Sequence, residues 1–241
     1  MGIDLLTVCS FLWFDPASPR ADVYVYDESH VHRLKRQVEK HLTAPHEFVC
    51  VSDRRIEGIK TIPLDWTMFI PGTRYAKLML YRPDGPLAGK RVLYLDLDSI
   101  VTGNLDPVVT RSEDLVLWRN PNFGQPGRAR YNTSIILHTC GTRPELWTDF
   151  DRDRTPAMLA RNWGGTDQAW VSHRASPEEA YFSDKDGIYG AGRLVKADGA
   201  LDGVGTELPE NARIVFTPGR RCPWTPGFAE KHPWAAQHEA A

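Results

Sequence analysis

The amino-acid sequence predicts an α/β fold with a mostly parallel central sheet that is flanked by helices. Nearly continuous apolar runs, such as residues 5–14 and 90–95, are typical of strands that are buried on both faces. An amphipathic stretch separates the run at residues 5–14 from the strand that is predicted at residues 47–52. Strands that alternate with helices pack as a parallel sheet. The 241 residues match the length of one domain of this kind. We therefore expect a domain over residues 1–228 and a loose tail over residues 229–241.

The individual elements follow from hydrophobic periodicity and from the turn residues between the runs. In residues 27–42, Val31, Leu34 and Val38 recur at helical spacing between basic residues, which predicts an amphipathic helix. Thr166 follows a Gly turn and predicts the N-cap of a helix that begins at Asp167. Further strands are predicted at residues 47–52, 59–64, 114–118, 131–137 and 213–216, further helices begin at residue 73 and cover residues 142–150, and residues 176–212 are expected to be irregular.

Composition and charge exclude several classes of protein. Hydrophobic residues make up 41% of the chain and charged residues 25%, which is ordinary for a soluble globular enzyme. The formal net charge of −2 gives no overall signal for nucleic acid or for an anionic membrane. No apolar run has the length of a membrane span, and the first residues lack the basic region of a secretory signal. The four cysteines are widely spaced and form no CxxC pair, so we expect reduced thiols and a cytoplasmic protein.

Two carboxylates end the strand that begins near residue 90. Asp96 and Asp98 are separated by one residue, and residues at this spacing on a strand point to the same side. In open α/β sheets, ligands collect at the carboxyl ends of the strands. A pair of carboxylates suits Mg²⁺ or Mn²⁺ that carries phosphates. The alternative is that these acids only cap the following turn.

Four segments together resemble the family 8 glycosyltransferases, the group of glycogenin and the bacterial lipooligosaccharide galactosyltransferases. The segments are residues 94–98 with 103–105, residues 131–134, residues 165–168 and residues 214–224. They stand in the order and spacing of the family and cover most of the chain. The resemblance implies a single GT-A type domain with a Rossmann-like sheet. It also implies retaining transfer of a hexose from a nucleotide diphosphate sugar, UDP-glucose or UDP-galactose, to an acceptor.

The resemblance also implies roles for individual residues. Asp96 and Asp98 match the DxD motif, which binds the nucleotide and a Mn²⁺ or Mg²⁺ ion that neutralises the leaving diphosphate. Asp167 and Gln168 match residues of the sugar pocket, where a carboxylate and an amide can bond sugar hydroxyls. The remaining matches are Asn132 in the sugar pocket, Lys77 as a donor contact, and Thr7 and Cys9 where the family binds the nucleotide at the end of the first strand. For Lys77, a solvated helix face is the alternative.

One departure from the family concerns the third metal ligand. The family supplies a His in its C-terminal segment, and residues 214–224 contain none. Arg220 or Arg221 can place permanent positive charge near the diphosphate instead, because guanidinium groups bind phosphates well. His173 or His232 can also enter the site from elsewhere in the chain.

Two other functions compete with sugar transfer. Residues 94–101 are similar to the first motif of haloacid-dehalogenase-type phosphatases, in which Asp96 would be the nucleophile, but no downstream acidic motif completes that site. A nucleotide-sugar-binding protein with weakened catalysis is the second alternative. For a transferase, the acceptor can be a glycan, a lipid-linked sugar, a protein, a small molecule or modified DNA, and the sequence does not specify an oligomeric state.

Overall fold

A computed structural model describes residues 5–15, 26–120, 123–160, 166–191, 205–217, 223–224 and 227–239. The strands are β1 (Leu6–Leu12), β2 (His46–Ser52), β3 (Lys60–Pro63), β4 (Arg91–Leu95), β5 (Ser99–Val101), β6 (Leu115–Arg119), β7 (Tyr131–Thr139), β8 (Ala180–Phe182), β9 (Ile188–Gly190) and β10 (Ile214–Phe216). The α-helices are α1 (Glu28–His41), α2 (Asp106–Val109), α3 (Glu145–Thr148), α4 (Thr155–Ala160), α5 (Asp167–Arg174), α6 (Phe228–Lys231) and α7 (Pro233–Glu239). Short 3-10 helices lie at Trp66–Met68, Tyr75–Tyr81 and Asp184–Asp186.

The central sheet of the described residues has seven strands in the order β3-β2-β1-β4-β7-β6-β8. Strands β3, β2, β1 and β4 run parallel, and β7 is antiparallel to both of its neighbours. This arrangement confirms the predicted α/β fold with a mostly parallel sheet. Because β1 and β4 are neighbours, the residues that follow β4 lie beside the carboxyl end of β1.

Helices cover both faces of this sheet, as the buried strands require. Val8 of β1 and Leu93 of β4 pack in one apolar cluster with the α1 residue Leu34. Cys9 and Tyr94 belong to the cluster on the other side, where the 3-10 helix Tyr75–Tyr81 and α5 pack. Thr166 is the N-cap of α5, as predicted, and its side chain accepts from the Ala169 N–H. Asp27 is the N-cap of α1, and its side chain accepts from the Ser29 N–H.

A second sheet, which the sequence did not predict, consists of β5, β10 and β9. Strand β10 is antiparallel to β5 and parallel to β9. All three of these strands and β8 are only three residues long, and β9 and β8 lie in the segment that we expected to be irregular. Gly103 follows β5 so closely against β10 that an added Cβ atom would lie 2.6 Å from the Ala212 carbonyl oxygen. The turn at residues 96–98 therefore joins the two sheets.

The segment that we expected to be a loose tail forms helices instead. Helix α6 and helix α7 pack their apolar residues Phe228, Trp234 and Ala235 against Ile100 and Val215 of the second sheet. Burial of the two aromatic rings stabilises this segment. The polar and charged residues around them led us to expect a loose tail. The predicted helix at residues 142–150 is only the four-residue α3. Among the described residues, no helix is long and apolar enough to cross a membrane.

Candidate active site

The two acids lie in the turn between the central and the second sheet. Asp96 directly follows β4, and its N–H donates to the Ser134 carbonyl oxygen of β7 at 2.9 Å. Its own carbonyl oxygen accepts from the Ser99 N–H at 3.0 Å, which closes a tight turn around Asp98. Both acid side chains are partly exposed. The acid pair therefore stands at the carboxyl end of a buried parallel strand, where the sequence placed it.

Lys77 joins Asp96 to Asp167. The Lys77 Nζ atom lies 3.1 Å from Asp96 Oδ1 and 3.2 Å from Asp167 Oδ2, and the lysine side chain is only 7% exposed. Burial disfavours the charge of Lys77, but the carboxylates of Asp167 and Asp96 outweigh this effect and raise its pKa. Lys77 is thus a permanent cation between two acids that are far apart in sequence, and the alternative of a solvated helix face is wrong.

Tyr94 of β4 contacts Asp96 as well. Its hydroxyl donates to Asp96 Oδ1, and Lys77 Nζ lies 5.3 Å from the centre of its ring. Burial, together with the negative charge of Asp96, raises the pKa of Tyr94 well above its usual value, so the phenol keeps its proton. Sequence reasoning missed Tyr94, although its position two residues before Asp96 places both side chains on one face of the strand.

Asp167 is buried in the first turn of α5. The Thr133 hydroxyl of β7 donates to Asp167 Oδ2 at 2.6 Å. Gln168 follows it and is half-buried. Asn132 is also half-buried, and its Oδ1 atom accepts from the Ser134 N–H at 2.7 Å. The structure therefore brings β7 and α5 together beside the acid pair.

Asp98 has a different environment from Asp96. Its Oδ1 atom is shielded from solvent, and among the described residues no donor reaches it. Its Oδ2 atom accepts a long hydrogen bond, 3.4 Å, from the Tyr26 hydroxyl. Burial raises the pKa of the Asp98 carboxyl to about 7, and the charge of Asp96 adds to this effect. A buried carboxylate oxygen without a donor is suited to a metal ion, so the chemistry of the acid pair fits the cation that the resemblance implies.

A group of aromatic and basic residues, which sequence reasoning also missed, borders Asp98. Tyr26 lies just before α1, His30 and Arg33 come from the first half of this helix, and Trp224 comes from the C-terminal segment. The His30 and Trp224 rings are 4.0 Å apart, and the Arg33 guanidinium lies 5.1 Å from the centre of the Trp224 ring. The sequence signal was the recurrence of polar residues at 30, 33 and 37 beside the apolar stripe of α1.

Thr7 and Cys9 do not join this site. Thr7 pairs with Val92 near the amino end of β1, and its hydroxyl donates to Glu47 Oε1 at 3.0 Å. Cys9 is fully buried in the core. Strand β1 continues to Leu12, so the side chains at its carboxyl end come from later residues than those we expected.

The segment that lacks the family His contacts Asp98 through a threonine. Phe216 is buried and packs against Trp118, with ring centres 4.2 Å apart. The Thr217 hydroxyl donates to the Asp98 carbonyl oxygen at 3.3 Å. His232 is buried beside Phe228 in the C-terminal helices.

The other candidate substitutes for the family His are one histidine and two arginines. His173 lies in the last turn of α5. Arg220, Arg221 and Gly165 lie outside the described residues. Within the described ranges, no group of three His, Cys, Asp or Glu side chains is arranged to hold a metal ion.

Solved structures with the same architecture are glycosyltransferases. No protein-family model matches the chain, and no curated protein matches it by sequence. The galactosyltransferase LgtC, solved with donor and acceptor sugar analogues, superimposes with a TM-score of 0.60 at 14% identity, over 97% of this chain and 94% of LgtC. GlyE of Streptococcus pneumoniae gives 0.56 at 13% identity, over 92% of this chain and 57% of GlyE. The bifunctional WbbM gives 0.60 at 9% identity, over 99% of this chain and 52% of WbbM. The chain therefore has the GT-A glycosyltransferase fold that the sequence resemblance implied.

Proposed function

We propose that this protein is a retaining hexosyltransferase that uses a nucleotide diphosphate sugar, UDP-glucose or UDP-galactose, as its donor. The observation that carries the proposal is the bridge from Lys77 to Asp96 and Asp167. This bridge links a DxD-type acid pair to the first turn of α5, in a fold shared with glycosyltransferases. The residues that match the nucleotide half of the family site thus contact the residues that match its sugar half.

The diphosphate would bind at the acid pair. Asp96 and Asp98 would hold a Mn²⁺ or Mg²⁺ ion, which supplies positive charge for the phosphate oxygens as the donor bond breaks. With no third protein ligand among the described residues, the ion would take its other ligands from the diphosphate and from water. Lys77 adds a fixed positive charge close to the leaving group, and the carboxylates of Asp167 and Asp96 keep this buried lysine charged.

The hexose would lie against β7 and the first turn of α5. Gln168 and Asn132 are half-buried and carry amide groups that can bond sugar hydroxyls. Asp167 is held in place by Thr133 and Lys77, so its carboxylate is fixed before the donor arrives. In the retaining reaction, the bond from the anomeric carbon to the diphosphate breaks. The acceptor hydroxyl attacks from the same face, and its proton passes to the departing phosphate.

The phosphatase alternative fits the geometry less well. Its nucleophile would be Asp96, but Oδ1 of this carboxylate already accepts from Tyr94 and contacts Lys77. Two donors stabilise the negative charge on Oδ1 and make this oxygen a weaker nucleophile. The LgtC neighbour was solved with sugar analogues at its donor and acceptor sites, so saccharides are the first acceptors to test.

A donor panel tests the proposal. The protein is incubated with UDP-, GDP- and ADP-linked hexoses and Mn²⁺, with and without a set of saccharide acceptors, and released nucleoside diphosphate is measured. We expect release from a UDP-hexose and no hydrolysis of p-nitrophenyl phosphate with Mg²⁺. Phosphate-ester hydrolysis without donor turnover would favour the phosphatase. Tight UDP binding without turnover on any acceptor would favour a binding protein.

A further inference from the structure

Arg33 is a buried cation on α1, beside the apolar stripe of the helix. It is 5% exposed, whereas Arg36, three residues later on α1, is exposed to solvent. Burial of a guanidinium group is strongly unfavourable unless the group is hydrogen-bonded and its charge is balanced. The position of Arg33 therefore calls for an explanation beyond the packing of α1.

The hydrogen bond of Arg33 leads directly to the acid pair. Its Nη2 atom donates to the carbonyl oxygen of Leu97, the residue between Asp96 and Asp98. On its other side, the guanidinium lies 5.1 Å from the centre of the Trp224 ring. The planar group is thus held between the acid turn and the C-terminal segment, a geometry that a guanidinium adopts well and an ammonium does not.

Every backbone carbonyl of the acid turn is held by a different element. The Asp96 carbonyl accepts from the Ser99 N–H, and the Asp98 carbonyl accepts from the Thr217 hydroxyl. The Leu97 carbonyl, between them, accepts from Arg33. The orientation of a carboxylate pair in a turn depends on the peptide planes between the two residues, and Arg33 holds the central one. Outer contacts of this kind orient metal ligands and change metal affinity by about 10–100-fold when removed.

We propose that Arg33 is a positioning residue for the acid pair: its hold on the Leu97 carbonyl directs the Asp96 and Asp98 carboxylates toward one cation-bound diphosphate. This inference rests on the proposed function. It also accounts for the absence of a third protein ligand in residues 214–217. Two carboxylates that a rigid turn holds in place lose less entropy when they bind a cation, so a third ligand is less necessary. Trp224 contributes to this positioning, since its ring confines the Arg33 guanidinium to one orientation.

The test separates positioning from direct contact with the nucleotide. UDP affinity of the full chain is measured by calorimetry in Mn²⁺ and again in EDTA, and the ratio of the two affinities gives the gain that the metal provides. The variants are Arg33→Met, Arg33→Lys and Trp224→Leu, with Arg36→Met as the matched control on the same helix. Thermal unfolding of each variant reports whether the fold is retained.

We expect Arg33→Met to reduce the metal-dependent gain by about 10–100-fold and to leave the affinity in EDTA unchanged. Arg33→Lys should lose less, because an ammonium can still donate to the Leu97 carbonyl but does not fit against Trp224. Arg36→Met should match the unchanged protein. If Arg33→Met does not fold, Trp224→Leu decides, and we expect it to reduce the gain in the same direction.

Three results would overturn the inference. A full metal-dependent gain in a folded Arg33→Met variant, or in Trp224→Leu where Arg33→Met does not fold, means that Arg33 does not position the acids. An equal loss of UDP affinity in Mn²⁺ and in EDTA means that Arg33 contacts the nucleotide itself. If the unchanged protein shows no UDP binding or no gain from Mn²⁺, the proposed function fails and the inference fails with it.

Discussion

The two ends of the central sheet both bring a carboxylate against lysines, and they differ in how completely the carboxylate is paired. At the amino end, Glu47 of β2 accepts hydrogen bonds from Thr7, Lys60 and Lys90. Burial works against the charge of Glu47, but the bonds from Lys60, Lys90 and Thr7 outweigh it and lower its pKa to about 2. This end of the sheet is a closed network in which both carboxylate oxygens have donors.

At the carboxyl end, the charges are arranged without being fully paired. Asp96 has two donors on one oxygen, whereas Asp98 Oδ1 has none within the part of the chain that the structure describes. Burial raises the pKa of Asp98 to about 7, the opposite direction from Glu47. Carboxylates are thus fully paired at one end and incompletely paired at the other. The difference lies in the number of donors that each carboxylate oxygen receives.

The largest expected effect tests this contrast directly. Asp98→Asn keeps the shape of the side chain and removes its charge, so it should reduce sugar transfer by about 100-fold or more, to the background rate, because electrostatic stabilisation of the leaving diphosphate is lost. Its unfolding free energy should be unchanged or higher, since the variant no longer buries an incompletely paired charge. Steady-state donor turnover and chemical denaturation provide the two measurements.

Glu47→Gln is the matched control at the amino end. It removes a carboxylate that has no part in the site, so turnover should equal that of the unchanged protein. Wild-type turnover in Asp98→Asn, with an unaltered response to Mn²⁺, would refute the role of the acid pair.

Substitution of a lysine at each end of the sheet should lower the free energy of unfolding by different amounts. Lys77→Met leaves Asp167 and Asp96 without their shared cation, and breaking a buried pair in this way lowers the free energy of unfolding by about 3–5 kcal/mol. Lys60→Met removes a lysine that is 58% exposed, and such a pair contributes about 0–1 kcal/mol. Urea denaturation of both variants gives the comparison. Equal losses would mean that burial does not distinguish the two ends.

Asp167 should affect the chemical step more than the binding of the nucleotide. Asp167→Asn keeps an oxygen that can accept from Thr133 but removes a charge beside Lys77, so turnover should fall by about 10–100-fold with little change in UDP affinity. This split follows if Asp167 acts on the transferred sugar. Stopped-time donor assays and UDP calorimetry measure the two quantities, and a parallel loss in both would place Asp167 in the nucleotide site.

The acid pair was predictable from the sequence because it depends on local rules. The period of two along a strand places Asp96 and Asp98 on one side, and the fold class places the end of β4 at the ligand edge of the sheet. The fold class itself followed from the alternation of apolar runs with an amphipathic helix, and the structure confirms it.

Other features depend on contacts that no local pattern encodes. Lys77 and Asp167 are ninety residues apart in sequence, and only the packing of α5 against β7 and the 3-10 helix brings them within 3.2 Å. Thr7 was placed at the wrong end of β1 because a continuous apolar run does not reveal where the neighbouring strand ends. The three-residue strands of the second sheet are too short to show a period.

The smallest expected effect concerns the acid resistance of the amino end. The pKa of Glu47 in the folded protein is about 2, below its ordinary value of 4.5, so its network stabilises the fold fully above that ordinary value. The contribution is lost as the pH falls from about 4.5 toward 2, because the folded state must then take up a proton that the unfolded state already holds. Glu47→Gln should therefore lower the free energy of unfolding by about 1 kcal/mol at pH 6, since both lysines are partly exposed. The two proteins should converge near pH 2 in urea denaturation at stepped pH values. A difference that persists at pH 2 would mean that the glutamate acts through packing, and the closed network would then not explain the contrast between the two ends of the sheet.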